Sequence, residues 1–368
     1  MKTMLAAAAA LLVGFARMPA DTFAPGPPSG RRVTPEAGLL LPFSSQPVQG
    51  FSSIAPIPKR DGWFYALADN GYGTKANSDD FLLRIYRVRP DWTSGRVDVD
   101  PAFIQLSDPR RQCNFAIVNE RTEDRLLTGA DFDPESLVID RDGSFWIGEE
   151  FGPWILHAAP DGRLIDVPAE ADGFRSPDNP AFTAGNGERE ATVPRSRGFE
   201  GLAPLRQRGM LVAAFEAGPK GTPPDQTRLL EFDTASGLFT RRDWIYPFDA
   251  AGHSLTEFVA DGKSFLAIER DNLQGPAARF KKVFRVELGV PGQVVRKTLV
   301  ADLLAIDNPQ RLGGFPATFT FPFITPEAVW PLDRHTILVV DDNNYPEKGG
   351  RSPDVRDDTE FIKLTIPQ

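Results

Sequence analysis

The sequence is short of the groups that usually hold transition metals: 368 residues carry one cysteine and three histidines. Cys113 alone builds neither a disulfide framework nor a thiolate site, and its distance from the N-terminus excludes a lipoprotein anchor there. It reads as a small buried apolar residue. His157, His253 and His335 fall in no HExxH spacing, so the common zinc arrangements are excluded. Basic excess is missing too. A net charge of -9 and a pI near 5.1 leave no cationic stripe for a phosphate backbone, so no nucleic acid partner is expected. No GxSxG elbow and no GxxxxGK[ST] loop occurs, which argues against an α/β-hydrolase serine esterase and a P-loop enzyme. Gly71-Tyr72-Gly73 imitates a dinucleotide loop, but no helical pattern follows it.

Long apolar runs are also absent, apart from Leu5 to Phe15 behind Lys2. That run is too short to span a bilayer and reads as a secretory signal over residues 1–20, with cleavage expected after Ala16 or Ala20. A flexible Pro-, Gly- and Arg-rich leader over 21–38 and one folded domain over 39–368 are expected to follow. No membrane span remains after signal removal on this reading. The protein is then exported, periplasmic or extracellular.

What is present is short runs of Val, Ile, Phe, Leu and Trp, divided by Asp-Gly, Asn and Pro, with 34 prolines and 32 glycines and poor helical periodicity. This is an all-β pattern. A repeat specifies it further: an opening carboxylate, an apolar strand, a turn, a second apolar strand and a closing acid. The clearest copy runs from Pro134-Glu135-Ser136-Leu137 through Arg141-Asp142-Gly143 to Trp146-Ile147-Gly148-Glu149-Glu150. Further copies are Phe199-Glu200-Gly201 with Phe215-Glu216, Thr256-Glu257-Phe258 with Ile268-Glu269-Arg270-Asp271, and Pro326-Glu327-Ala328 with Val340-Asp341-Asp342. A degenerate first copy opens at Ser53-Ile54 and closes at Ala68-Asp69-Asn70. The spacing exceeds the roughly 40 to 50 residues of a minimal four-stranded blade, and the long interval from Ser53 to Glu135 has room for an extra one. The expected fold is a β-propeller of six blades, with five or seven left open.

A chain that goes out and returns across a turn brings its two end carboxylates to one edge. Glu135 with Glu149, Glu200 with Glu216, Glu257 with Glu269, and Glu327 with Asp341 are thus expected around one mouth of the ring. Two carboxylates about 5 Å apart repel by roughly 3 kcal/mol at an effective dielectric near 20. Bound protons, arginine counter-charges or a divalent cation must offset this, and an oxygen-only ligand set suits calcium. His253 and Arg270 are the candidates for proton transfer and for binding a substrate oxyanion, and Arg197 for receiving an anionic group.

At Pro134-Glu135-Ser136-Leu137, Gly198-Phe199-Glu200-Gly201-Leu202-Ala203, Thr256-Glu257-Phe258 and Pro326-Glu327-Ala328-Val329 the chain resembles the phytase-like family, described as having esterase-like activity of phytase. The resemblance extends over roughly Gln46 to Pro367. It implies a propeller with calcium on one face and hydrolysis of a small-molecule ester or phosphoester by metal-activated water. The DDPA-containing motif associated with alkaline phytases is not present. A second expectation, from another class, is a non-catalytic exported propeller that binds a sugar, peptide or envelope component.

Overall fold

Apolar stretches on either side of short Asp- or Gly-containing turns fold as antiparallel hairpins. In the computed structural model, which describes residues 9–35, 38–182 and 186–367, each hairpin forms the inner half of a four-stranded sheet. The first unit comprises Phe51–Pro56, Phe64–Ala68, Arg84–Asp91 and Arg96–Val99. The second comprises Pro134–Ile139, Phe145–Glu149, Trp154–Ala158 and Ala169–Glu170. The third is built from Phe199–Pro204, Met210–Phe215, Gln226–Asp233 and Leu238–Pro247, and the fourth from Ser254–Asp261, Ser264–Arg270, Lys281–Glu287 and Arg296–Asp302. The fifth takes Thr325–Asp333, Thr336–Asp342 and Thr359–Thr365 from the end of the chain and Leu11–Met18 from its beginning.

The inner strands neighbour one another in order around a closed ring, the fifth returning to the first. This is a propeller, and its described residues form five four-stranded units rather than the six favoured by spacing. The long interval after the first unit holds no further sheet. It is loop, with a two-residue strand Ile104–Gln105 and a buried Arg125–Asp108 ion pair at 3.0 Å. The only α-helix among the described residues is Gly187–Glu190.

Leu11–Met18, read above as the core of an export signal, is the strand that closes the ring. It runs antiparallel to Thr359–Thr365, from Leu11 opposite Thr365 to Met18 opposite Thr359, and touches the first unit through Arg17 opposite Arg96. Small and large apolar residues suit a signal and a buried strand equally, and here the segment is packed as a strand. Ala16 and Met18 are fully buried, Phe15 lies edge-on to Phe315 at 5.2 Å, and a Cβ on Gly14 would come within 2.8 Å of the Trp92 ring. The segment read as a flexible leader is fastened as well: Phe23–Ala24 pairs with Gln46–Pro47, and Asp80 accepts the backbone N–H groups of Gly30 and Arg31. The fold therefore begins well before Leu39. The first eight residues of the expected signal, and residues 36 and 37 of the expected leader, lie outside the described residues.

Candidate metal centre

Every inner strand carries a β-bulge at its first turn, and the same position is skipped in all five. Pairing passes over Ser52, Glu135, Glu200, Thr256 and Glu327 in turn. A bulge adds one unpaired residue and re-aims its side chain. On each neighbouring strand, the residue that follows the partner of the last residue before the bulge is Asp69, Glu150, Glu216, Arg270 or Asp342. These two sets meet at the mouth.

Oxygens of Asp133, Glu135 and Glu150 lie within 4.8 Å of one another, as do oxygens of Glu150, Glu200 and Glu216. Glu150 belongs to both trios. Ser52 Oγ donates to Glu327 Oε2 at 3.2 Å, which ties the first unit to the fifth. Asn70 donates to Asp133 through its backbone N–H (3.2 Å) and Nδ2 (2.7 Å), and Gly198 N donates to Glu150 Oε1 at 2.7 Å. Glu200 Oε2 is buried and has no hydrogen-bond partner.

The centre thus gathers Asp69, Asp133, Glu135, Glu150, Glu200, Glu216, Glu327 and Asp342. Apart from Asp69, none is more than 6% exposed. Arg270 Nη2 bonds Glu216 Oε1 at 3.0 Å and Arg197 pairs with the same carboxylate, so both guanidinium groups are anchored at one acid, with Arg270 Nε left without a partner. Burial, reinforced by neighbouring carboxylates, holds Glu135, Glu150, Glu200 and Asp69 well above the usual carboxylate range. Burial and Asp342 do the same to Glu327. Burial raises Asp133 to about 6, against hydrogen bonds that lower it, and Asp342 to about 7. All the donors are oxygens and one carboxylate oxygen is unpaired, which fits a hard divalent cation of the calcium kind.

Of the eight expected metal-holding acids, the structure brings together Glu135, Glu200, Glu216 and Glu327. The other four stand elsewhere. Glu149 turns away to accept the N–H groups of Phe151, Gly152 and Trp154. Glu269 accepts from Tyr246, Asp249 N and Lys297 and contacts His253 Nδ1 at 2.8 Å. Asp341 Oδ1 takes the Glu360 N–H. Glu257 sits one residue past the bulge, where Ser53 Oγ and Phe258 N donate to it. Its counterpart in the third unit is Gly201, where a Cβ would come within 2.4 Å of Phe258. His253 is therefore turned to Glu269, its ring over Phe280 at 4.2 Å, and does not join the ring of acids. Arg270 and Arg197 do.

The members missed by sequence are Asp69, Asp133, Glu150 and Asp342. Where a hairpin closes on two consecutive acids, side-chain alternation allows only one to face the axis, and it is the second. A Ser144–His157–Asp166 alignment, with His157 Nε2 3.1 Å from Ser144 Oγ and Nδ1 2.6 Å from Asp166, lies at the turn end of the second unit. Ser144 is 2% exposed and its hydroxyl already donates to Asp142 at 2.6 Å, so it clamps a turn.

The fold and the site define a closed β-propeller with a buried carboxylate centre at one end of its axis. Residues 46–345 match the phytase-like family, described as esterase-like activity of phytase, and the chain belongs to that family. It is 25% identical over 190 residues to an uncharacterized secreted protein of Arthroderma benhamiae, a match covering 42% of this chain and 37% of that protein. Among solved structures it is similar to regucalcin, a calcium-binding protein of Agrobacterium tumefaciens (TM-score 0.40, 11% identity, 87% of this chain and 92% of that one). It is also similar to a thermostable family-43 glycoside hydrolase (TM-score 0.42, 10% identity, 87% and 93%). At these scores no function is carried over. No helix among the described residues is long and apolar enough to cross a membrane.

Proposed function

We propose that the protein is an exported, calcium-dependent hydrolase of phosphoric or carboxylic esters. The observation that carries this is the pair of carboxylate trios sharing Glu150, with Glu200 Oε2 left unpaired. A divalent cation bound there would polarise the ester oxygen and lower the pKa of water. Asp133, Glu135, Glu150, Glu200 and Glu216 would hold it, Glu327 and Asp342 completing the charge around it. Arg270 and Arg197, fixed at Glu216, present the only guanidinium groups of the set to an anionic substrate oxygen. A carboxylate at the rim of the centre would move the proton of the leaving alcohol. Export rests on the secreted relative, and on this reading Leu11–Met18 stays with the mature protein.

The test is hydrolysis of nitrophenyl phosphate and nitrophenyl acetate by purified protein, with loss of turnover in EDTA and recovery on adding calcium. No turnover on either substrate with calcium bound would favour a second reading. In that reading the propeller holds the ion for structure and binds a sugar, peptide or envelope component, in keeping with the depth of the acids.

A further inference from the structure

The turns that join the first and second strands of each unit form the end of the propeller away from the acids. Two hollows there flank the turn of the third unit, Leu205 to Gly209. One, of about 490 Å³, lies toward the second unit and takes in Asp140, Arg141 and Asp142 of its turn. The other, of about 600 Å³, lies toward the fourth unit and takes in Lys263. Leu205 and Arg206 line both, so the hollows meet at this turn.

Four carboxylates and five cations share the two linings, and the carboxylates are engaged. Glu231 pairs with Arg242 at 3.3 Å, and Glu287 with Arg296. Asp140 and Asp142 keep their charge beside Arg141, yet Trp146 Nε1 donates to the first at 3.1 Å and the Ser144 hydroxyl to the second at 2.6 Å. The side chains of Arg206, Arg208 and Lys263 are exposed and have no hydrogen-bond or ion-pair partner among the described residues. The other hairpins place Asp61, Asp140, Asp261 and Asp333 at this end, and the third places no acid there. What stands free is therefore positive, in a chain of net charge -9.

An occupant must bring acceptors. It must also be apolar in part, because Val138, Ile139 and Leu205 are half-buried and Pro204 is exposed along the first lining. A polyuronate would leave these groups wet, and neither tryptophan offers a ring face to a sugar: Trp146 is stacked on His157 at 3.7 Å, and Trp244 is 2% exposed. A flat anionic surface would not enter two hollows. An extended peptide meets both needs, since its alternating side chains can set carboxylates against guanidinium groups and apolar groups against Leu205 and Ile139.

We propose that these hollows dock an extended segment of a partner protein in which acidic and apolar side chains alternate; the site is independent of the hydrolase reading. The test is fluorescence anisotropy on the full chain with labelled probes: a peptide alternating glutamate with leucine, one of glutamate alone, one alternating lysine with leucine, and a polygalacturonate oligomer of similar length. The glutamate–leucine peptide binds more tightly than the other three, and its affinity falls as salt rises. Arg206→Glu with Arg208→Glu weakens it by about ten-fold or more. Lys59→Glu with Arg334→Glu, the same change of charge on the turns of the first and fifth units, leaves it within about two-fold. All four positions are exposed, and thermal melts check that both variants fold. Equal binding of any other probe, no binding of the glutamate–leucine peptide, unchanged affinity in the folded Arg206→Glu, Arg208→Glu variant, or equal loss in both variants would overturn the proposal. Self-association of the unaltered chain that the same variant abolishes would overturn it too, by assigning the hollows to a second copy.

Discussion

Glu149 and Glu150 are consecutive in the chain and face opposite ways: Glu149 accepts three backbone N–H groups of the following loop, and Glu150 joins both carboxylate trios at the mouth. Their substitutions should therefore separate. Glu150→Gln removes repulsion from a crowded site, so in EDTA its melting temperature should equal or exceed that of the unaltered protein, while the rise produced by calcium is lost. Glu149→Ala leaves buried donors unpaired and should cost about 3 kcal/mol in either buffer. Thermal melts with and without calcium check both. Equal behaviour of the two variants would contradict the assignment.

The buried acids also fix the sign of the pH dependence. Asp133, Asp342 and Glu149 are raised to about 6, 7 and 8, in each case chiefly by burial. In the unfolded chain such carboxyls ionise at about 4. Between those limits the folded state binds more protons, so their stabilisation is complete below the unfolded values and is lost as pH rises through the folded ones. In EDTA the melting temperature should fall from pH 5 to pH 8.5. Calcium replaces the protons and should raise the melting temperature most at the alkaline end. A flat EDTA profile would count against this account.

Arg270 and Arg197 converge on Glu216. Breaking a buried pair by removing one partner costs roughly 3 to 5 kcal/mol, and a remaining second partner softens the loss. Arg270→Gln and Arg197→Gln should each destabilise the protein less than the double variant does, and the double-mutant cycle should show coupling. Additivity within error would mean that Glu216 is not shared.

Ser144→Ala tests the turn clamp against a serine nucleophile. Since the Ser144 hydroxyl is buried and donates to Asp142, hydrolysis of nitrophenyl acetate should be unchanged in this variant. A loss of 10³-fold or more with an intact fold would place the chemistry at Ser144 instead.

On the proposed export, the protein recovered from the periplasm or medium should retain Leu11–Met18, which N-terminal sequencing will read directly. A chain starting at Asp21 lacks the fourth strand of the fifth unit and should show no cooperative melt.

The all-β character and the hairpins were legible because their turns and apolar runs are local. The inward register was less so. In the second unit the acids could be read as one motif, but choosing Glu150 over Glu149 depends on the bulge at Glu135, and a bulge shifts the alternation without leaving a mark in the residues themselves. The fourth unit shows the same limit: Glu257 is the acid, yet the skipped residue is Thr256. Asp133 precedes its strand, where Asn70 of the first unit donates two hydrogen bonds to it. The pairing of Leu11–Met18 was not legible for another reason: its partner, Thr359–Thr365, lies more than 300 residues further along the chain.

That pairing also sets an order of events. Leu11–Met18 cannot pair until Thr359–Thr365 has been made, so a growing chain carries an open sheet edge across that whole interval. Contacts this remote in sequence slow folding. The fifth blade is complete only once Thr359–Thr365 has been made, so the Glu327 and Asp342 side of the mouth takes its final form after every other side.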